Sequence, residues 1–257
     1  MVKGLYTAYT GMANEQKRLD IIANNLANSA TIGYKEEKVT NQSFDNLLTI
    51  KINDESEAYL NKAIGYMSPG VKLGEVYTDY GQGSLRQDEN PYSLALDGKG
   101  FFKMAVTDKA GNISTKYTRN GSFTMTKDGY IVDEDGNHLL GEAGAIQIPT
   151  DATDIVIDEG GDIYANGAFI DKISTTDFED YNYLAKSGDT MYQPVNGAAE
   201  LPSDALIRQG FTEQSNVNVV SEMVEMITVS RAYEANQKVI QSVDKTLDFA
   251  ANSVGRV

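Results

Sequence analysis

A seven-residue apolar repeat at the C-terminal end constrains the fold of this chain more than any other feature. Every seventh position there is apolar: Val219, Met226, Tyr233, Ile240, Leu247 and Val254. The intermediate positions of the same stripe are mixed: Met223, Ser230, Gln237, Asp244 and Ala251. No proline interrupts residues 215–257, and no glycine precedes Gly255. Such a repeat predicts a long helix that packs along another helix.

The residues around the predicted start of this helix are those that helix N-termini favour. Asn216 and Asn218 are candidate N-caps, because a side-chain amide oxygen can accept hydrogen bonds from the first backbone N–H groups. Glu222 and Glu225 follow in the early turns, where the helix dipole stabilises negative charge. We therefore predict a helix over most of residues 215–257.

The partner of this helix is predicted at the other end of the chain. Three- and four-residue spacings place one stripe on its face: Leu5, Tyr9, Met12, Gln16, Leu19, Ala23, Leu26 and Ala30. Two long terminal helices of this kind would form a coiled-coil-like pair. The alternative is that both helices pack on one globular core, as most amphipathic helices do.

Three asparagines near the end of the first helix need an explanation, because asparagine is a poor residue for a helix interior. Asn24 and Asn25 could hydrogen-bond backbone groups of neighbouring chains, or could lie in a solvated, frayed last turn. The stretch from Asn28 to Gly33 is predicted to end the helix, with Gly33 in a left-handed backbone conformation.

The middle of the chain has the pattern of an antiparallel β domain. Apolar runs recur about every eight to twelve residues between Asn-Gly, Asp-Gly and similar sequences, which mark tight hairpins. The runs are Tyr117 and residues 92–96, 101–106, 122–125, 130–132, 139–140, 146–148, 155–157, 163–165 and 169–173. Turn sequences include Asn120-Gly121, Asp135-Gly136 and Asn166-Gly167. This spacing favours a sandwich or barrel-like domain.

These patterns predict an α+β fold with three parts. Residues 1–35 and 215–257 form a helical domain, and residues 76–214 form a mostly antiparallel β domain. Residues 36–75 are predicted as an extended connector that could have hairpin character, because glycines and Pro69 interrupt any regular pattern there. The connector is expected to carry the chain away from the helices.

Composition and charge exclude several classes of protein. No apolar run approaches the ~20 residues of a membrane-spanning helix, so no membrane insertion is expected. The formal net charge is −15, and almost all of it lies between the two nearly neutral terminal stretches. Phosphates would be repelled by so acidic a surface, so no nucleic acid partner is expected. The first ten residues lack the pattern of a cleaved signal peptide, so the chain stays in the cytoplasm or leaves by a route that needs none.

The residues that could catalyse a reaction or bind a metal form no recognisable motif. The chain has no cysteine. His138, the only histidine, lies beside a predicted turn without a nucleophile-elbow sequence and is interpreted as a surface turn residue. The stretch that starts at residues 133–137 lacks the glycine at the sixth position and the closing glutamate of a calcium loop, and residues 98–102 lack the third glycine of a dinucleotide fingerprint. We therefore expect no enzyme activity, no cofactor and no metal.

Four motifs, in order over most of the chain, resemble the bacterial flagellar rod and hook proteins. LDIIANNLAN at residues 19–28 with TIGYK at 31–35 is similar to the N-terminal signature of that family. LALDGKGFF at 94–102 and YTRNGSF at 117–123 with DGY at 128–130 resemble its internal β segments. SNVNVV at 215–220 with RAYEAN at 231–236 resembles its C-terminal helix motif. Within the family, the chain length and the stretch between Lys35 and Gly100 resemble the distal rod members, with proximal rod members next and hook proteins less similar.

The resemblance implies a structural subunit of the flagellar basal-body rod, the drive shaft that transmits torque from the motor to the hook. It implies export through the flagellar channel without a cleaved signal peptide, with the paired helices in the axial core of the rod and the β domain outside. Expected partners are copies of this chain and other rod, hook and export-apparatus proteins. A contact between identical subunits that does not close gives a helical polymer, and an acidic middle keeps free monomers apart.

The candidate subunit-interface residues lie on the two helices and at the end of the first. They are Leu5, Tyr9, Met12, Leu19, Asn24, Asn25, Leu26, Asn28, Val219, Met223, Met226, Tyr233, Ile240 and Leu247. A competing class is an acidic secreted β-domain protein that binds a ligand and dimerises through its helices. That class predicts a discrete symmetric dimer and a concave, aromatic-lined site.

We predict that the terminal helices are largely disordered in the isolated monomer, because lone amphipathic helices are marginally stable in water. Hydrogen exchange on the monomer should be fast in residues 1–35 and 217–257 and slow in the β domain. Slow exchange throughout both terminal stretches would contradict this expectation.

Overall fold

The structure is a computed structural model that describes residues 2–50, 63–107 and 111–254. Its contacts divide the chain into two units. The helical unit comprises the described residues of Met1–Leu26, Glu37–Thr78 and Val219–Val257. The β unit comprises those of Ala27–Glu36 and Asp79–Asn218. The predicted α+β class, with mostly antiparallel strands, is confirmed.

Two long helices belong to the helical unit. Helix α1 runs from Val2 to Ala27 and helix α2 from Val219 to Phe249, followed by a π-helical turn at Ala250–Val254. Both predicted terminal helices are therefore present, and α2 begins four residues inside its predicted stretch. Within the described residues, no helix is long and apolar enough to cross a membrane.

The stretch predicted as an extended connector contains strands in the structure. They are β1 (Glu37–Ser43), β2 (Leu47–Ile50), β3 (Ala63–Met67) and β4 (Val71–Thr78). β1 pairs antiparallel with β4, and β2 pairs antiparallel with β3. Residues 51–62, which belong to the same prediction, lie outside the described residues.

The β unit is built from short antiparallel strands. In chain order they are β5 (Leu85–Gln87), β6 (Leu94–Asp97), β7 (Phe101–Thr107), β8 (Ile113–Thr118), β9 (Thr124–Met125), β10 (Ile131–Val132), β11 (His138–Leu139), β12 (Ile155–Ile157), β13 (Asp162–Ala165), β14 (Ala168–Lys172), β15 (Thr175–Phe178), β16 (Leu184–Lys186), β17 (Met191–Pro194), β18 (Glu200–Pro202), β19 (Leu206–Gln209) and β20 (Phe211–Glu213). A 3-10 turn at Tyr181–Tyr183 precedes β16.

Strand β7 organises the largest sheet. The strand order is β16-β17-β8-β7-β11-β10-β9, and β15 pairs with both β7 and β18. Strands β12, β13 and β14 form a separate three-stranded sheet, while β6 pairs with β19 and β5 with β20. The last two pairings join residues 85–97 to residues 206–213, immediately before the end of this unit.

The Asn166-Gly167 turn confirms one of the predicted hairpins. Backbone φ is 49° at Asn166 and 80° at Gly167, and two successive positive φ values are those of a type I′ turn. The turn joins β13 to β14 with Ala165 opposite Ala168. The Asn166 side chain also accepts a hydrogen bond from the backbone N–H of Asp154 at 3.2 Å.

The predicted strand at residues 146–148 does not form a continuous ladder. Gln147 makes only an isolated bridge to Tyr130. Ile146 and Ile148 are nonetheless buried in the core of the β unit. The backbone N–H of Ile148 also donates to the Gly129 carbonyl at 2.8 Å, so this apolar run is a short antiparallel pairing that buries two isoleucines.

Apolar side chains cover both faces of β7. Phe102 belongs to the main core cluster and packs edge-to-face on Phe123, with ring centroids 5.5 Å apart. Its neighbour Phe101 points to the opposite face, as successive strand residues do. There it joins a second cluster with Tyr117, Phe178, Leu184 and Tyr192. The core of the β unit therefore has two layers separated by this strand.

We predict that Phe102→Ala lowers the free energy of unfolding of the β unit by about 3–5 kcal/mol, because it leaves a large cavity beside Phe123. Urea unfolding followed by near-ultraviolet circular dichroism measures the change. Ile113→Ala is the matched control: its side chain is 74% exposed, so the loss should stay within about 0.5 kcal/mol. Equal losses for the two variants would contradict the assignment of the core.

Candidate assembly interface

Helices α1 and α2 contact each other in an antiparallel arrangement within the helical unit. Near the end of α1, the Asn25 Nδ2 atom donates to Glu222 Oε2 at 3.3 Å. One heptad earlier on α1, Arg18 Nη2 lies 2.8 Å from Glu225 Oε1. A Cβ atom on Gly11 would lie 3.0 Å from the amide nitrogen of Asn236. Residues nearer the start of α1 thus contact residues nearer the end of α2, which is the arrangement of an antiparallel pair.

The less exposed face of α2 follows a regular heptad. Its members, at alternating three- and four-residue steps, are Val219, Glu222, Met226, Val229, Tyr233, Asn236, Ile240 and Val243. The predicted positions Val219, Met226, Tyr233 and Ile240 are among them. The other half of the seam lies one residue earlier than predicted, and Met223 is exposed. Residues three and four positions after Val219 lie on the same helix face. The prediction therefore took the apolar Met223 as the seam residue, whereas the structure buries Glu222.

The buried face of α1 also differs from the predicted stripe. Its buried side chains are Ala8, Asn14, Ile22 and Asn25, whereas Gln16 and Ala23 of the predicted stripe are exposed. Half of the buried residues are asparagines, which an apolar pattern does not reveal. Contacts within the chain therefore use a polar face of α1.

The structure places the candidate interface residues in three environments. Asn25 is buried. Leu5, Met12, Leu19, Leu26, Asn28, Val219, Met226, Tyr233 and Ile240 are half-buried. Tyr9, Asn24, Met223 and Leu247 are exposed.

A second apolar stripe on α2 was not predicted from the sequence. Val220, Met223, Val224 and Ile227 are exposed, and the least exposed of them is still 45% accessible. Steps of three and four residues put them on one face of the first two turns. The same spacing was present in the sequence, but the longer heptad from Val219 obscured it. On α1, Tyr6 and Tyr9 are likewise large and exposed.

Asn25 makes its backbone hydrogen bonds within its own chain. Its Oδ1 atom accepts from the Glu37 N–H at 3.0 Å, and its Nδ2 atom donates to the Glu37 carbonyl at 2.9 Å. Only 1% of the residue is exposed. The interpretation of Asn25 as part of a solvated, frayed turn is therefore wrong.

The strands that follow α1 lie along it and do not lead away from it. Asn14 Nδ2 donates to Asn41 Oδ1 on β1 at 3.1 Å. Thr10 Oγ1 donates to the carbonyl of Pro69, just before β4, at 3.4 Å. Together with the bonds between Asn25 and Glu37, these contacts are spread over four turns of one helix face. Polar side chains on α1 hold the strands in place, which an apolar pattern could not predict.

A buried ion cluster (Lys35, Arg119 and Glu213) lies in the β unit. Lys35 Nζ is 2.6 Å from Glu213 Oε1, and Arg119 Nη1 is 3.2 Å from Glu213 Oε2. The backbone N–H of Gly83 also donates to Glu213 Oε1, at 2.9 Å. Lys35 and Arg119 donate further to the carbonyls of Gly81 and Gly98. The sequence analysis did not identify this cluster.

Burial dominates the electrostatics of this cluster. It lowers the pKa of the Lys35 ammonium below its ordinary value, and the Glu213 carboxylate opposes that shift. The Arg119 guanidinium also lies over the Phe101 ring at 5.5 Å. Two cations therefore share one buried carboxylate, and removing the carboxylate would leave both without their ion-pair partner.

The segment that follows α1 joins the β unit through Gly33. Gly33 has the predicted left-handed backbone, with φ of 70°, and its N–H donates to the Glu213 carbonyl at 2.8 Å. A Cβ atom there would lie 2.4 Å from the Asn120 nitrogen. Asn216 does not cap α2 as predicted: it accepts from the Glu36 N–H and donates to the Asp79 carbonyl. Residues 27–36 are therefore integral to the β unit, and the expectation of fast hydrogen exchange is restricted to residues 1–26 at this end of the chain.

His138 is not a surface turn residue. It opens β11, is half-buried and packs against the Tyr130 ring with centroids 5.1 Å apart. No cluster of three metal-ligating side chains is found among the described residues.

Three family models match segments of the chain in the order that the motifs suggested. "Flagella basal body rod protein" matches residues 5–35, "Flagellar hook protein FlgE/F/G D1 domain" matches residues 95–165, and "Flagellar basal body rod FlgEFG protein C-terminal" matches residues 208–253. The first covers most of α1 and the segment ending in Lys35. The last contains Glu213 and all of α2.

Relatives that match over nearly their full length show which family the chain belongs to. The flagellar basal-body rod protein FlgG of Caulobacter vibrioides is 35% identical, over 96% of this chain and 97% of the relative. FlgG of Bacillus subtilis is 32% identical, over 98% of this chain and 99% of the relative. The chain belongs to the flagellar basal-body rod protein family.

Within this family, FlgG-type proteins are the better match. The rod protein FlgF of Caulobacter vibrioides is similar over the whole chain, but at 29% identity. The predicted resemblance to the distal rod members is thus supported over the proximal ones. Family membership makes this chain a structural subunit of the rod in the flagellar basal body.

We predict that Glu213→Gln lowers the free energy of unfolding of the β unit by about 3–5 kcal/mol, because a neutral amide leaves Lys35 and Arg119 buried without their ion-pair partner. Urea unfolding measures the loss. Glu159→Gln is the matched control, since Glu159 pairs with Arg208 at the surface and should contribute about 0–1 kcal/mol. A Glu213→Gln effect as small as the control effect would show that the cluster is dispensable.

Proposed function

We propose that this chain is a distal-rod subunit that polymerises helically, with α1 and α2 paired in a coiled-coil-like axial core. The polymer would act as the drive shaft that transmits torque from the motor to the hook. Neighbours in that assembly would be copies of this chain and other rod, hook and export-apparatus proteins. The proposal assigns the chain no enzyme activity.

The observation that carries this proposal is the apolar surface left on α2 after its contacts with α1 are made. Val220, Val224 and Ile227 are each more than half exposed on one helix face. Burying such a side chain contributes about 1.5–3 kcal/mol. A stripe of this size, repeated on every subunit, favours an open-ended array, because each added chain presents the same surface again.

The exposed tyrosines of α1 supply a complementary surface. Tyr6 and Tyr9 are 62% and 58% exposed, so their rings are available to a neighbouring subunit. Tyrosine favours interfaces because it buries a large ring while its hydroxyl remains hydrated. A heterologous contact in which α2 of one subunit meets α1 of the next would use both surfaces once per subunit.

Charge also favours controlled assembly over spontaneous aggregation. The chain carries a formal net charge of −15, concentrated between the terminal helices. Repulsion between free monomers slows random association, while the nearly neutral helices can approach each other. Screening by salt should therefore promote polymerisation of the purified protein.

We predict that Ile227→Asp raises the critical concentration for polymerisation at least about tenfold, since a loss of ~1.4 kcal/mol per contact has that effect. Sedimentation at increasing concentration measures it, and near-ultraviolet circular dichroism checks that the β unit stays folded. Thr228→Asp introduces the same residue at the neighbouring exposed polar position, which lies about 100° around the helix from Ile227 and outside the apolar stripe, and should leave assembly unchanged. Equal critical concentrations for the two variants would exclude this face of α2 from the subunit contact.

A further inference from the structure

We propose that the contact between Asn25 and Glu222 is a register-determining element, which allows α1 and α2 to pair in only one alignment. This inference rests on the helix pairing of the proposed function. It assigns a task to two polar residues on a seam where apolar residues are the rule. The contact and the heptad pattern of α2 carry the argument.

Asn25 uses its whole amide in this position. One N–H of the Nδ2 group donates to the Glu37 carbonyl, and the group also donates to Glu222 Oε2. The Oδ1 atom accepts from the Glu37 N–H. The strand β1 thus fixes the orientation of the amide, and the remaining donor points at the position that Glu222 occupies. Glu222 itself is 5% exposed, so its carboxylate depends on partners inside the protein.

The heptad position of Glu222 alternates between polar and apolar residues along α2. At seven-residue intervals it holds Glu222, Val229, Asn236 and Val243. The native alignment places Glu222 opposite Asn25 and Asn236 beside Gly11. Both polar members therefore meet a residue on α1 that suits them: an amide donor in one case and a glycine that leaves space in the other.

Sliding α2 by one heptad would mismatch both positions at once. If α2 moves so that each α1 residue faces the α2 residue seven positions later, Val229 would face the Asn25 amide and Val243 would face Gly11. In the other direction, the residue opposite Asn25 would precede the helix, and Val229 would face Gly11. Either slide separates the Asn25 amide from the Glu222 carboxylate and so leaves the buried amide without this acceptor. A polar residue on a helix seam fixes register in this way in coiled coils.

Apolar contacts in this pair discriminate poorly between alignments. The buried apolar side chains of the two helices are Ala8, Ile22 and Val229. Because the seam repeats every seven residues, a slid alignment would still place valines and similar residues against α1. The polar contacts therefore distinguish the native alignment, and the buried Asn25–Glu222 contact does so more strongly than the exposed Arg18–Glu225 ion pair.

Spin-label distance measurements on the assembled full-length chain test this inference. The chain contains no cysteine, so Asp20→Cys and Lys238→Cys provide the only two labelling sites, both at exposed positions. Labelled chains are diluted into unlabelled protein so that distances within one chain dominate. A one-heptad slide moves α2 by about 10 Å along its axis, which changes this label separation by roughly 5–10 Å.

Three variants of the labelled chain are compared with the parent. Asn25→Leu removes the amide, and the double variant Asn25→Leu with Glu222→Leu also removes the carboxylate that the first change leaves buried. Gln16→Leu is the matched control, because it makes the same kind of change on the exposed face of α1. The parent and the control should each give one narrow distance distribution.

The inference predicts that Asn25→Leu gives two distances, the native one and a displaced one. If Asn25→Leu instead gives no defined distance, the double variant should give those two distances. A single native distance in both variants would overturn it while leaving helix pairing intact. A defined distance that is lost in both variants would also overturn it, since the residues would then be needed for pairing itself. A broad distribution in the parent chain would instead refute the pairing in the proposed function.

Discussion

The carboxylate of Glu213 is the interaction on which the β unit most depends. It binds Lys35, which lies 178 positions earlier in the chain, together with Arg119 and the Gly83 N–H. Burial lowers the pKa of Lys35, so desolvation outweighs attraction for that ammonium. Any arrangement that separates the members of the cluster buries an unpaired charge, so the cluster disfavours such arrangements. It brings the segment after α1 and the strand before α2 into one unit.

The helical unit follows the same principle with neutral groups. Asn14 and Asn25 hold β1 against α1, and Asn25 also contacts Glu222 of α2. Because polar groups satisfy so much of the contact within the chain, apolar side chains remain exposed on the other face of α2. In an ordinary monomer such a surface promotes aggregation. In the proposed rod polymer it is the surface with which the next copy would associate.

Local patterns predicted the parts of the fold that are locally determined. The two helices, the antiparallel class and the Asn166-Gly167 turn follow from heptad spacing and turn chemistry. The α2 seam was only half correct, because Glu222 is buried where an apolar residue was expected. No local sequence pattern predicts the ion cluster, because its members pair across long sequence separations. The rod assignment came from the motifs, since the charge pattern and the helices alone also fit a dimer.

Sedimentation and electron microscopy of the full-length chain, beside a fragment of residues 27–218, test the rod-subunit assignment most directly. The fragment keeps residues 27–36, because Lys35 and Gly33 belong to the β unit. The assignment predicts that the full-length chain forms open-ended rods that lengthen with concentration, while the fragment stays monomeric. A sharp full-length dimer that never extends, or rods formed equally well by the fragment, would contradict it.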